Sequence, residues 1–301
     1  MTKPIAPPSY PVILCATAIA AAIAFQFIPD VAWWLFGLLS VAGLVLIGIP
    51  HGALDVLTHS SRGQSKNTAR FMLVYVSGIG LVLSGWLFLP TISLIAFLLL
   101  SAWHFGQADF ELWQIHTGGI AWGGMAWGVL LLNFILGWHL TEVCSILATV
   151  GIPGGHLEWA IALEKSIQIA TAIGWLVALA CALRLRCKAW IWSLMMFVCL
   201  PFMPVLIAFM FFFVGQHSFA GWLHLKRGLN LDHAQLWRKA APFHLGAWAI
   251  IIAGVYSLGL NESLSHHATV GWFFALLGSI SIPHIIESHI FIQSIKSGNQ
   301  P

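Results

Sequence analysis

FMLVYVSGIGLVLSGWLFLPTISLIAFLLLSAWHFGQADF, residues 71–110, contains no Asp, Glu, Lys or Arg before Asp109. An apolar run of about 20 residues crosses a bilayer as an α-helix. This stretch therefore holds two spans, divided at Pro90, which removes a backbone donor and stops a helix. A transmembrane barrel would alternate polar and apolar residues, and no such alternation occurs here. The same reading places spans near 11–29, 31–50, 71–89, 91–110, 119–138, 166–183, 189–204, 205–225, 242–260 and 269–292. The run 189–225 is too long for one span and divides at Pro201 and Pro204. The expectation is an all-α polytopic membrane helix bundle of about ten transmembrane helices. It forms a single integral membrane domain over 1–301, with short polar loops at 58–70, 139–165 and 226–241. Lys3 followed by an apolar run resembles a signal peptide, but a second run begins directly after Pro29 and Asp30. A retained first span is the expectation.

Composition agrees. Hydrophobic residues make up 59% of the 301 and charged residues 8%, with a mean hydropathy of +0.88. Soluble domains carry about 25% charged residues, so soluble, disordered and nucleic-acid-binding classes are excluded. With the N-terminus in the cytoplasm, 12 of the 13 basic residues fall inside and only Lys165 outside. That bias places both termini in the cytoplasm, in a multi-pass protein of the cell inner (plasma) membrane. It accounts for the basic clusters without a nucleic-acid partner. The five cysteines form no C-x-x-C pair and read as packing residues.

Histidine is unusually abundant, with 14 residues against 10 acidic ones. His59, His116, His139, His156, His233, His266 and His267 fall in loops. His51, His104, His217 and His284 lie inside or at the end of spans two, four, eight and ten. All four spans run from outside to inside, so the four imidazoles fall in the cytoplasmic half of the membrane at comparable depth. Ionisable groups in hydrocarbon face a bundle interior with partners, and histidines from several helices at one level can converge on a metal. Nitrogen ligands suit iron, zinc, copper or nickel rather than magnesium or calcium. Asp55 follows His51 by four residues, Asp109 follows His104 by five and Glu287 follows His284 by three. These carboxylates read as partners that receive a ligand's second N–H. The plainer alternative is separate histidines, each bonded to a carbonyl across helices. His224, seven residues after His217, and His289, five after His284, read as interfacial.

At Pro-His-Gly-Ala-Leu-Asp (50–55), His-Phe-Gly-x-Ala-Asp-Phe (104–110), His-Ser (217–218) and Pro-His (283–284), the chain resembles the Brp/Blh family of membrane β-carotene 15,15'-dioxygenases. The resemblance covers nearly the whole chain. It implies cleavage of β-carotene, or a related carotenoid, at its central double bond with O2 to give two retinals. It further implies Fe2+ as cofactor and His51, His104 and His217 as its ligands, and it suggests transfer of retinal to a rhodopsin partner. One departure stands out. The family pattern is His-x-x-x-His around 217, and the second position here is Gly221. His224 from the next turn, or His284, can supply the fourth ligand.

The substrate is then a polyene dissolved in the lipid bilayer, for which Trp103, Phe105, Phe110 and Phe219, beside the histidines, are candidate lining. Gly48, Gly52, Gly106 and Gly215 flank the histidines, either for close helix approach or to leave room for the polyene. Two other functions compete. A diverged membrane hydroxylase or desaturase would carry about eight histidines in paired boxes, whereas His266–His267 is the one adjacent pair here. A non-catalytic carotenoid or retinal carrier would lack the metal.

Overall fold

The computed structural model describes residues 7, 9–64, 67–115, 120–259 and 266–296. Lys3, Lys66 and His116 lie outside them. Among the described residues there are helices and no strands. In chain order the helices are α1 (Tyr10–Phe27), α2 (Pro29–Gly43), α3 (Ile49–Gly52), α4 (Asp55–His59), α5 (Thr68–Phe88), α6 (Pro90–Leu112), α7 (Ile120–Leu132) and α8 (Leu140–Thr149). There follow α9 (Gly154–Ala162), α10 (Glu164–Arg184), α11 (Lys188–Cys199), α12 (Val205–Met210), α13 (Phe219–Gly228), α14 (His233–Gly259) and α15 (His266–Lys296). Segments of π-helix occupy Leu44–Gly48, Asn133–Gly137 and Phe211–Ser218.

Prolines set the joints. Pro29 and Pro90 begin α2 and α6, where a missing N–H costs nothing. The residues before them, Ile28 (φ −139°, ψ 58°) and Leu89 (φ −137°, ψ 55°), leave the helical region because the ring crowds them. Their own N–H groups close the preceding helices onto Ala24 O (2.8 Å) and Gly85 O (2.7 Å). Seven helical stretches among the described residues are long and apolar enough to cross a membrane, or eight if the pair Trp122–Gly137 and Leu140–Thr149, bent by 87°, is one span. Of the ten predicted spans, 119–138 is thus the first limb of a bent pair. The span 189–204 is a 12-residue helix, α11, followed by a 3-10 turn at Leu200–Phe202. The span 242–260 lies, as far as Gly259, within the 27-residue α14, which also takes in part of the predicted polar loop 226–241. The predicted loop 139–165 is mostly the helices α8 and α9, and α4 occupies the start of 58–70. A backbone near lipid satisfies its polar groups internally, and a helix does so locally.

The chain divides into two compact units: Met1–Gly48, Ala102–Val143 and Glu158–Leu223 form the first, and Ile49–Ser101, Cys144–Leu157 and His224–Pro301 form the second. In the first unit α6 and α7 cross with their backbones touching. A Cβ on Gly106 would strike the carbonyl oxygen of Gly124, and one on Gly128 would strike that of Ala102. Close approach, rather than space for a polyene, is what Gly106 provides. At the bend, the ring nitrogens of His139 meet Ile135 O (2.9 Å) and Met203 O (2.7 Å). His139 is therefore a tie between segments rather than a loop residue. In the second unit Trp86, Val150, Ile152 and Ala275 form a buried cluster.

Candidate functional site

In the second unit, His51 lies in the single turn of α3 and His284 follows Pro283 in α15. Their rings meet edge-to-face, with centroids 5.0 Å apart and an interplanar angle of 88°. Asp55, at the start of α4, faces His284. Both carboxylate oxygens lie 3.0 Å from its Nδ1. Tyr75 of α5 donates to Asp55 Oδ2 at 2.8 Å. Glu287, one turn beyond His284, accepts from Thr58 Oγ1 (2.8 Å) and from Arg62 Nη2 (2.8 and 2.9 Å). His59 is buried and stacks on Phe71 at 4.2 Å, although its sequence context placed it in a loop.

The spacing of the sequence had paired Asp55 with His51 and Glu287 with His284. The structure pairs Asp55 with His284 and commits Glu287 to Thr58 and Arg62. The (i, i+4) expectation assumes an unbroken helix, but α3 ends at Gly52 and the chain turns at Ala53–Leu54 before α4 begins.

In the first unit, His104 of α6 and His217 of the π segment Phe211–Ser218 form a second edge-to-face pair, at 4.9 Å and 74°. Phe105 lies 4.7 Å from the His217 ring and 5.0 Å from Phe212, and Phe213 stacks on His217 at 5.9 Å. Asp109 is buried. Its Oδ2 accepts from Trp127 Nε1 (2.8 Å) and Gln216 Nε2 (2.7 Å), and Gln216 Oε1 accepts from Ser193 Oγ (2.7 Å). Asp109, expected beside His104, instead anchors the residue preceding His217.

Of the proposed lining, Phe105 touches the histidine pair. Phe110 packs on Trp190 at 5.3 Å, Phe219 stacks on Tyr10 at 4.2 Å, and Trp103 is half-buried on α6. His224 is half-buried on α13 and belongs to the second unit. Sequence reasoning missed Tyr75, Gln216 and Ser193, ordinary residues in apolar runs that only tertiary contacts single out. It also passed over His244, buried edge-on to Trp237 (5.7 Å) and Trp248 (6.5 Å). The clue available was a histidine two residues after Pro242 within an apolar run.

Each pair has the donor chemistry for a metal, and its edge-to-face spacing of about 5 Å is that of two packed rings. Neutral histidine nitrogens would suit iron if they held a metal. Among the described residues no three His, Cys, Asp or Glu side chains gather closely enough to hold a metal ion.

Residues 42–291 match the family described as Beta-carotene 15,15'-dioxygenase. A curated protein of that name, from Uncultured marine bacterium 66A03, is 27% identical over 270 residues, covering 82% of this chain and 90% of its own length. No solved structure matches the chain.

Proposed function

The chain belongs to the beta-carotene 15,15'-dioxygenase family, and from that premise we propose that it cleaves β-carotene or a related carotenoid at the central double bond. One O2 is consumed and its two oxygen atoms become the carbonyl oxygens of two retinals. We further propose Fe2+ as the cofactor, with His51, His104, His217 and His284 as ligands. What supports the reading is the family match over residues 42–291, within which His51, His104 and His217 are buried and His284 is half-buried inside apolar helices. In this reading His284 or His224 supplies the ligand that Gly221 replaces in the family pattern.

When bound, ferrous ion supplies open positions at which O2 is activated. The chain's own residues do the rest. Asp55 receives the Nδ1–H of His284 and places a negative charge next to an otherwise neutral ligand set. Asp109, through Gln216, holds the π segment that carries His217. Phe105, Phe212 and Phe213 wrap His217 in apolar surface. They exclude water and offer flat faces to a polyene. The protein works as a multi-pass protein of the inner membrane, where its substrate dissolves in the bilayer.

The test is expression in a bacterium that accumulates β-carotene, with retinal and residual carotene measured by chromatography and iron by metal analysis. The expected result is retinal formation and bound iron in the wild type, with retinal lost in His104→Ala. Unchanged carotene in well-expressed, iron-loaded protein would overturn the cleavage reading.

A further inference from the structure

Asp55 is the acceptor between two side chains far from each other in sequence, Tyr75 and His284. An ionised carboxylate accepts hydrogen bonds and donates none. The Tyr75 hydroxyl, 2.8 Å from Oδ2, therefore donates. His284 Nδ1, 3.0 Å from both oxygens, must donate as well. A neutral imidazole has one N–H and one lone pair on its two nitrogens.

From this we infer that Tyr75 is a positioning residue. Acting through Asp55, it holds His284 with the proton on Nδ1 and the lone pair on Nε2, the atom that would meet a metal. Its consequence for the metal rests on the function proposed above.

Tyr75 is needed because α4, which carries Asp55, is five residues long. The one N–H of His284, shared by both oxygens, leaves the carboxylate able to tilt about its Cβ–Cγ bond. A second donor from α5 fixes its plane, and with it the plane of the imidazole. The attachment of α4 to α15 has a separate origin: Thr58 donates to Glu287 one turn beyond His284, and Arg62 completes that anchor. Tyr75→Phe therefore removes one hydrogen bond to Asp55 and leaves that anchor in place.

The test uses full-length protein in detergent, labelled with 15N-histidine. The resonances of His284 are identified by their loss in His284→Gln. In metal-free wild type the expected tautomer is Nδ1-protonated with a lone pair on Nε2. In Tyr75→Phe the His284 signal shifts toward the other tautomer, and Fe2+ affinity, measured by chelator competition, falls by about 10–100-fold, the usual effect of removing an outer partner of a ligand. A proton on Nε2 in the wild type overturns the inference by itself, so the test survives a variant that fails to fold. So does a folded Tyr75→Phe with unchanged tautomer and unchanged affinity. If the wild type shows the expected tautomer, which Tyr75→Phe shifts, but binds no Fe2+, the iron assignment falls and the positioning role of Tyr75 stands.

Discussion

Three carboxylates in the membrane region, Asp55, Asp109 and Glu287, are each at most 4% exposed. A buried charge is tolerated only with partners that hydrogen-bond it, and here each set of partners does a different job. Asp55 orients His284, Asp109 steadies the backbone before His217, and Glu287 binds α15 to Thr58 and Arg62. Gln216→Leu leaves Ser193 without its acceptor and Asp109 with a single donor. An unsatisfied buried polar group costs about 1–3 kcal/mol. The expected outcome is a lower melting temperature in detergent together with reduced retinal yield, since His217 follows directly. Arg62→Met leaves Glu287 buried without its counter-charge, for an expected loss of about 3–5 kcal/mol. Chemical denaturation would check it, and Arg62→Met combined with Glu287→Leu should recover much of the loss.

At the scale of elements, the π segments are the features that helical periodicity does not reveal. A π turn inserts a residue and rotates everything after it, and such turns recur at functional sites. Leu44–Gly48 comes just before His51, and Phe211–Ser218 contains His217. The α6–α7 crossing is the second decisive feature. Gly106 lies two residues from His104, and its neighbour across the crossing is a carbonyl oxygen rather than a flexible side chain. Gly106→Ala or Gly128→Ala must push the helices apart. An overpacking cost of about 1–3 kcal/mol is expected, read as a lower melting temperature in detergent. Gly80→Ala, where a Cβ meets nothing within 4 Å, should leave the melting temperature nearly unchanged.

For the whole molecule, the distribution of basic residues sets a definite expectation. A C-terminal fluorescent protein, which matures only in the cytoplasm, should be bright, and alkaline phosphatase fused at the same point should be inactive. With the N-terminus inside, the reverse pattern would mean an odd number of crossings. The structure bears on that count, because among the described residues seven helical stretches meet the length and apolarity of a span, a bent pair makes an eighth if it is one span, and α11 is a 12-residue helix. The lengths of apolar runs made the spans legible. The points at which α11 ends early and α7 bends into α8 were not, since hydropathy averages over a window and records no direction.

The all-α membrane class followed from the sequence by itself, because unbroken apolar runs with 8% charged residues have one stable form in lipid. The candidate histidines were also legible, because ionisable residues inside such runs are costly and few, and the motifs around them indicated the family. Which histidine faces which, and which carboxylate serves which ring, only the tertiary structure decided. Asp55 lies four residues from His51 yet bonds His284, and Asp109 bonds Gln216, a partner 107 positions away. Spacing along a chain predicts contact only while the helix is continuous. Once α3 stops at Gly52 and a π turn resets the phase before His217, the partners are chosen by packing between helices.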